Sequence, residues 1–210
     1  MNFYMLNRPA THGKVPLTTT DRNVGAKIID CPVCGTRGMI GKNKLGRVPV
    51  EIVIKDVADE LDDIEQASTV LLASRKFREA VARVRLTGME FYPPVGYECT
   101  GSNKQFQRTL RLCREEKAFE VMHVTGSGGS VAEASGLELL KSCDACGWTE
   151  WSLPKDGFYV DESQWDGSDF FHVKEYGPFF MTQRAVDSLW RAGLSNFGAR
   201  DIAEYRSPFA

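Results

Sequence analysis

Cys31-Pro32-Val33-Cys34-Gly35 and Cys143-Asp144-Ala145-Cys146-Gly147 are two copies of one pattern, set 112 residues apart in a chain of 210. A CxxC turn presents two sulfurs to one metal ion from a short piece of backbone. The glycine that follows can take positive φ without a Cβ clash, and Pro32 pre-sets φ inside the first turn. One such turn is ambiguous with a redox pair, whereas two supply the four-cysteine set of a structural zinc site, with thiolates at about 2.3 Å in a tetrahedron. The expected ligands are therefore Cys31, Cys34, Cys143 and Cys146, and the expected cofactor is one structural Zn2+. Four thiolates leave no position for water, which argues against metal catalysis. Their formal −2 charge on zinc calls for nearby cations such as Lys27, Lys42 or Lys141. The redox reading needs a helix directly after a CxxC turn to lower a thiol pKa. Gly35-Thr36-Arg37-Gly38 and Gly147-Trp148-Thr149-Glu150 read instead as turn or strand.

A second echo runs at nearly the same offset. Ser74-Arg75-Lys76-Phe77-Arg78-Glu79-Ala80-Val81, continuing to Leu86-Thr87-Gly88-Met89, parallels Thr182-Gln183-Arg184-Ala185-Val186-Asp187-Ser188-Leu189, continuing to Leu194-Ser195-Asn196-Phe197, 108 residues later. Each copy predicts strand, helix, strand. In the first, Thr69–Leu72 is a short apolar strand, and Ser74 caps a helix with Phe77, Ala80, Val81 and Val84 at helical spacing. Thr87-Gly88 stops that helix before the strand Met89–Tyr92. In the second, Phe179–Met181 leads to a Thr182-capped helix with Ala185, Val186, Leu189 and Trp190 on one face, stopped by Gly193. The expected fold is α+β: two related strand-helix-strand halves with mixed sheets, residues 1–110 and 111–210, joined by the four-cysteine zinc site, or the same elements in one compact domain. Because the cysteine pairs are far apart in sequence, the two turns must meet through the tertiary fold and clasp the halves together.

Further strands are expected at Val48–Ile54, Ala118–Val124 and Leu137–Lys141. Gly126-Ser127-Gly128-Gly129-Ser130 reads as a loop and the nearest thing to a linker; it lacks the pattern of a phosphate-binding loop. Residues 55–65 place Val57, Leu61 and Ile64 at i, i+4 and i+7, which predicts an acidic helix with one apolar stripe. Such a run is either a solvated face or a surface for a basic partner, with Asp59, Asp62 and Asp63 as the partner-binding candidates. Trp148, Trp151 and Trp165 are either core residues or anchors for that partner.

The chain carries 28 acidic and 26 basic residues, a net charge of −2, with 42% hydrophobic residues, values of an ordinary globular protein. This excludes a disordered tail or a small disulfide scaffold, and it disfavours a nucleic-acid binder, which carries a basic excess. The first residues lack a basic stretch followed by an apolar run, and nowhere do about 20 apolar residues follow one another, so a cytoplasmic protein without a membrane span is expected. In that compartment cysteines serve as ligands or free thiols. Cys99 and Cys113 lack partner spacing and read as free, and His12, His123 and His172 read as histidines satisfied by their surroundings. No GxSxG, HExxH or Ser/His/Asp arrangement stands out, so no enzyme activity is expected.

The opening Asn2-Phe3-Tyr4, the two CxxCG motifs, and the closing Asp169-Phe170-Phe171-His172 followed by an apolar strand, the Thr182-capped helix and Gly193-Leu194 resemble the bacterial double-CxxCG motif family. The likeness spans most of the chain outside Glu98 to Val131. That family includes immunity proteins against polymorphic toxins, among them the Sit toxins exchanged between kin cells. The resemblance implies a cytoplasmic antitoxin that binds its cognate toxin, encoded by an adjacent gene, and performs no chemistry. It carries the metal-ligand role onto Cys31, Cys34, Cys143 and Cys146. A zinc-ribbon nucleic-acid or regulatory protein and a CxxC thiol redox protein are the alternative classes.

Overall fold

The computed structural model describes residues 1–7, 17–19, 28–39, 47, 49–67 and 70–205. Along the chain these form β1 (Phe3–Asn7), β2 (Leu17–Thr19), β3 (Ile28–Asp30), β4 (Arg37–Met39), β5 (Glu51–Ile54), β6 (Ile64–Ala67), β7 (Val70–Ala73), α1 (Arg75–Arg83), β8 (Met89–Tyr92), β9 (Gly96–Cys99) and α2 (Lys104–Arg111). There follow β10 (Glu120–Val124), β11 (Gly126–Ser127), β12 (Leu139–Cys143), β13 (Trp148–Trp151), β14 (Phe170–His172), β15 (Phe180–Thr182), α3 (Gln183–Arg191) and β16 (Gly198–Asp201). The fold is α+β with mixed sheets. One sheet has the order β11-β14-β15-β1-β16 and another β6-β7-β10-β8, while β2-β5-β9 and the hairpins β3-β4 and β12-β13 are smaller. The parallel pairs among the described strands are β11 with β14 and β5 with β9.

Both expected strand-helix-strand runs form, as β7-α1-β8 and β15-α3-β16, and local chemistry explains their boundaries. The Ser74 hydroxyl accepts the Phe77 N–H and the Thr182 hydroxyl accepts the Ala185 N–H, each at 3.2 Å. Each thereby satisfies one of the donors a helix start leaves open, a contact worth about 1 kcal/mol. α1 buries Phe77, Ala80 and Val81, and α3 buries Ala185, Val186 and Leu189. The two helices share one core with Ile64, Met89, Phe170 and Met181. Val84 and Trp190, the remaining members of the expected stripes, stay exposed. Residues on both sides of position 110 fill this core, and β1 and β10 each lie between strands from the other side of that position. The two parts of the chain are thus held together by a shared core and interleaved strands, whatever the four cysteines bind.

Two expectations are corrected. Residues 55–63 are not helical. Their carboxylates and backbone are engaged locally instead: Asp56 Oδ1 accepts the Val57 N–H at 2.8 Å, and Glu65 Oε1 accepts the Asp62 N–H at 2.8 Å. Carboxylates that bond their own neighbourhood compete with helix formation, and like charges one turn apart add repulsion. The expected linker at Gly126–Ser130 is packed structure. Gly126–Ser127 pairs with β14, Gly128 donates to His172 O at 2.7 Å, and a Cβ at Gly126 would stand 2.2 Å from Phe170 O. Here glycine is what lets two backbones touch.

The other expected strands appear, shifted by a few residues: β5 within Val48–Ile54, β10 within Ala118–Val124, and β12 beginning at Leu139. Among the described residues no helix is long and apolar enough to cross a membrane.

Candidate metal centre

Each CxxCG turn joins the two strands of a hairpin, the first linking β3 to β4 and the second β12 to β13. The Gly35 N–H bonds Cys31 O and the Gly147 N–H bonds Cys143 O, both at 2.8 Å, and the two glycines sit at φ +70° and +71°. That left-handed conformation is the one a side chain would strain, so the glycine in each motif is explained. A strand rather than a helix follows each turn, which removes the helix N-terminus that a thiol redox motif uses.

The four sulfurs of Cys31, Cys34, Cys143 and Cys146 all lie within 4.8 Å of one another. Cys31 Sγ is 3.9 Å from Cys143 Sγ, and Cys34 Sγ is 3.7 Å from Cys146 Sγ. Ligands at about 2.3 Å around one tetrahedral ion stand about 3.8 Å apart, so the donor set fits a metal such as zinc. Neither contact is a disulfide, as all four thiols are free. Cys31 is buried, Cys34 is exposed, and Cys143 and Cys146 are half-buried, which places the centre just beneath the surface.

Hydrogen bonds distinguish the thiols. The Cys34 thiol is lowered to about 6 by the Thr36 hydroxyl, 3.1 Å from its sulfur, and by the Thr36 backbone N–H. At Cys146 the Trp148 backbone N–H pulls the same way, but burial and the neighbouring cysteines outweigh it and push the thiol up to about 12. N–H donors aimed at sulfur favour the thiolate that binds a metal. Of the lysines expected to offset the charge, Lys141 pairs with Glu150 at 3.0 Å in the depression beside Cys143. Lys27 and Lys42 lie outside the described residues.

The partner-binding candidates separate. Asp59 is exposed and pairs with Arg108 at 3.0 Å. Asp62 is half-buried. Asp63 is buried, and its carboxylate is committed internally: Oδ1 accepts the Ser74 hydroxyl at 2.8 Å and Oδ2 accepts the Ser195 N–H at 3.0 Å. It cannot present its charge to a partner. The sequence reading missed this structural role, and it missed the matching one at Asp169. The available signal was an aspartate directly before the first of two consecutive strands, β6 or β14, the second of which, β7 or β15, runs into the hydroxyl cap Ser74 or Thr182.

Trp148, Trp151 and Trp165 are half-buried, and Trp165 stacks edge-on against Phe3 with ring centroids 5.3 Å apart. Burial pushes the Cys113 thiol up to about 12, in keeping with a core cysteine. Burial also holds His172 down at about 4, so it is neutral at physiological pH. His12 lies outside the described residues. No family model and no curated protein matches this chain.

Proposed function

We propose that this protein is an immunity protein that binds a cognate bacterial toxin, encoded beside it, and blocks it by occlusion in the cytoplasm, with a structural four-cysteine zinc site stiffening the binding scaffold. The single observation that supports this reading is the convergence of the two CxxCG turns, which brings four sulfurs within 4.8 Å of one another. Those turns are the sharpest part of the family resemblance. With all four donors being thiolates, the bound ion supplies cross-linking rather than an open coordination position for chemistry. In this reading the two CxxCG-bearing halves are related to one another. The purified protein is expected to carry about one zinc per chain by elemental analysis, and metal-free protein with four reactive thiols would exclude the site.

Of the three partner-binding candidates, Asp59 is exposed and paired with Arg108, Asp62 is half-buried, and both stand nearer the surface than buried Asp63. Replacing both by Lys is expected to slow association with the neighbouring toxin domain about tenfold at low salt. The effect shrinks at higher ionic strength, because charges are screened beyond about 10 Å at 0.1 M. Binding kinetics at two salt concentrations provide the check. Unchanged association rates would remove the acidic segment from the interface, and no binding by the wild type would remove the immunity reading itself.

A further inference from the structure

We infer that the chain is two copies of one folding unit that have exchanged their opening strands, and that the metal centre is the seam where the copies meet. The partner each copy fits is therefore a second copy of itself, here supplied by the same polypeptide.

Strand register carries the inference. In one sheet β10 lies between β7 and β8; in the other β1 lies between β15 and β16, antiparallel to both neighbours in each case. Glu120 is opposite Ala73, and Tyr4 is opposite Met181. Val121 is opposite Tyr92, and Met5 is opposite Arg200. Ala73 and Met181 are 108 residues apart, as are Tyr92 and Arg200. Both pairings then assign β1 to β10 at the same offset, 116 residues. A slip of one residue in either sheet would break this agreement and turn every side chain of the strand to the other face. The hairpins match as well: Asp30 is opposite Arg37 and Ser142 is opposite Thr149, at the 112-residue offset of the cysteines.

The contacts between copies are reciprocal. Asp63 Oδ2 accepts the Ser195 N–H at 3.0 Å, and Asp169 Oδ2 accepts the Thr87 N–H at 2.9 Å. In return the Asp63 N–H bonds the Ser195 hydroxyl at 2.8 Å, and the Asp169 N–H bonds the Thr87 hydroxyl at 3.2 Å. Each aspartate also accepts the cap hydroxyl of its own helix, from Ser74 or Thr182. At the metal centre the close sulfur pairs join equivalent cysteines, Cys31 to Cys143 and Cys34 to Cys146. An ion held by all four sulfurs would take two ligands from each copy, so neither copy could complete the site alone. Offsets change only in the connections between these elements, where length differences are tolerated.

β1 opens the first copy in sequence yet completes the second copy's sheet, and β10 does the reverse. Two measurements test this. A specific protease site inserted between Gly101 and Ser102, in the segment joining the copies, is cut in the folded protein. The two fragments are expected to elute together as one particle, with or without a zinc chelator, because each supplies a central strand to the other. Fragments that separate without denaturant would overturn the exchange. In the uncut chain, Met5→Pro and Val121→Pro each break one central strand. Hydrogen exchange by mass spectrometry is expected to speed up about tenfold in β15 and β16 for Met5→Pro, and in β7 and β8 for Val121→Pro. Faster exchange confined to the copy that carries the substitution would overturn the proposal. Should either proline variant fail to fold, the fragment measurement on the otherwise unchanged chain still decides it.

Discussion

Asp169→Ala is expected to cost about 3 kcal/mol, a large part of the roughly 5–15 kcal/mol that holds a domain folded. The carboxylate is buried and accepts bonds from the Thr87 N–H at 2.9 Å, the Thr182 hydroxyl at 2.9 Å and Arg184 Nε at 2.9 Å, with Arg184 Nη2 as a further donor. Truncation leaves the buried Thr182 hydroxyl without its acceptor and unpins the loop after α1 from the segment entering β14. The exposed Arg184 guanidinium can turn to water, which is why the expected cost is less than that of stranding a fully buried cation.

The same group dictates a pH dependence. Burial opposes ionisation of Asp169, but Arg184 and the donors from Thr87 and Thr182 outweigh it and hold the carboxyl below its ordinary value. Asp63 is likewise lowered, with burial again opposed by Ser195, Ser74, Lys117 and Lys76. A depressed folded value means stability that is fully present above the ordinary carboxylate range near pH 4 and lost as pH falls through the folded value. Denaturant titrations from pH 6 downward should show this loss in the wild type and a flatter profile in Asp63→Asn/Asp169→Asn. Equal slopes for both proteins would remove the aspartates from the acid response.

The legible parts of the fold were those in which local chemistry and burial agree. Ser74 and Thr182 announce helix starts, and the stripes Phe77-Ala80-Val81 and Ala185-Val186-Leu189 do face a core. The meeting of Cys31, Cys34, Cys143 and Cys146 was legible because four thiols in two identical turns have few other uses. What misled was a pattern with two physical solutions. Leu61 and Ile64 are buried as the stripe at 57, 61 and 64 requires, but an irregular segment running into β6 buries them as well as a helix would. Likewise Gly126 and Gly128 read as a linker by composition, and only the packed Phe170 and Phe171 show why glycine is needed there. The places of β1 and β10 were out of reach, because sequential elements usually pair with near neighbours in the chain, and nothing local to Phe3–Asn7 names β15 and β16 as its partners.

Cys143→Ser is expected to abolish stoichiometric zinc and to lower Tm by about 6–12 °C, the shift for roughly 3 kcal/mol in a chain of this size. Serine is a poor ligand, and the three remaining cysteines cannot close the tetrahedron. The loss should stop short of unfolding, because the four cysteines sit on the turns of the small hairpins β3-β4 and β12-β13, while the two larger sheets are completed by β1 and β10. Cys113→Ala is the control. Cys113 is fully buried among Leu112, Phe119 and Val121, away from the sulfur cluster, so this variant should lose about 1 kcal/mol of packing and keep its full zinc content. Metal content measured beside thermal unfolding separates the two effects. A chelator added to wild-type protein should reproduce the Tm of Cys143→Ser, and it should leave the Tm of Cys143→Ser itself unmoved. If the variant retained zinc, or if the chelator lowered its Tm as far as that of the wild type, the metal would be bound somewhere other than between the two CxxCG turns.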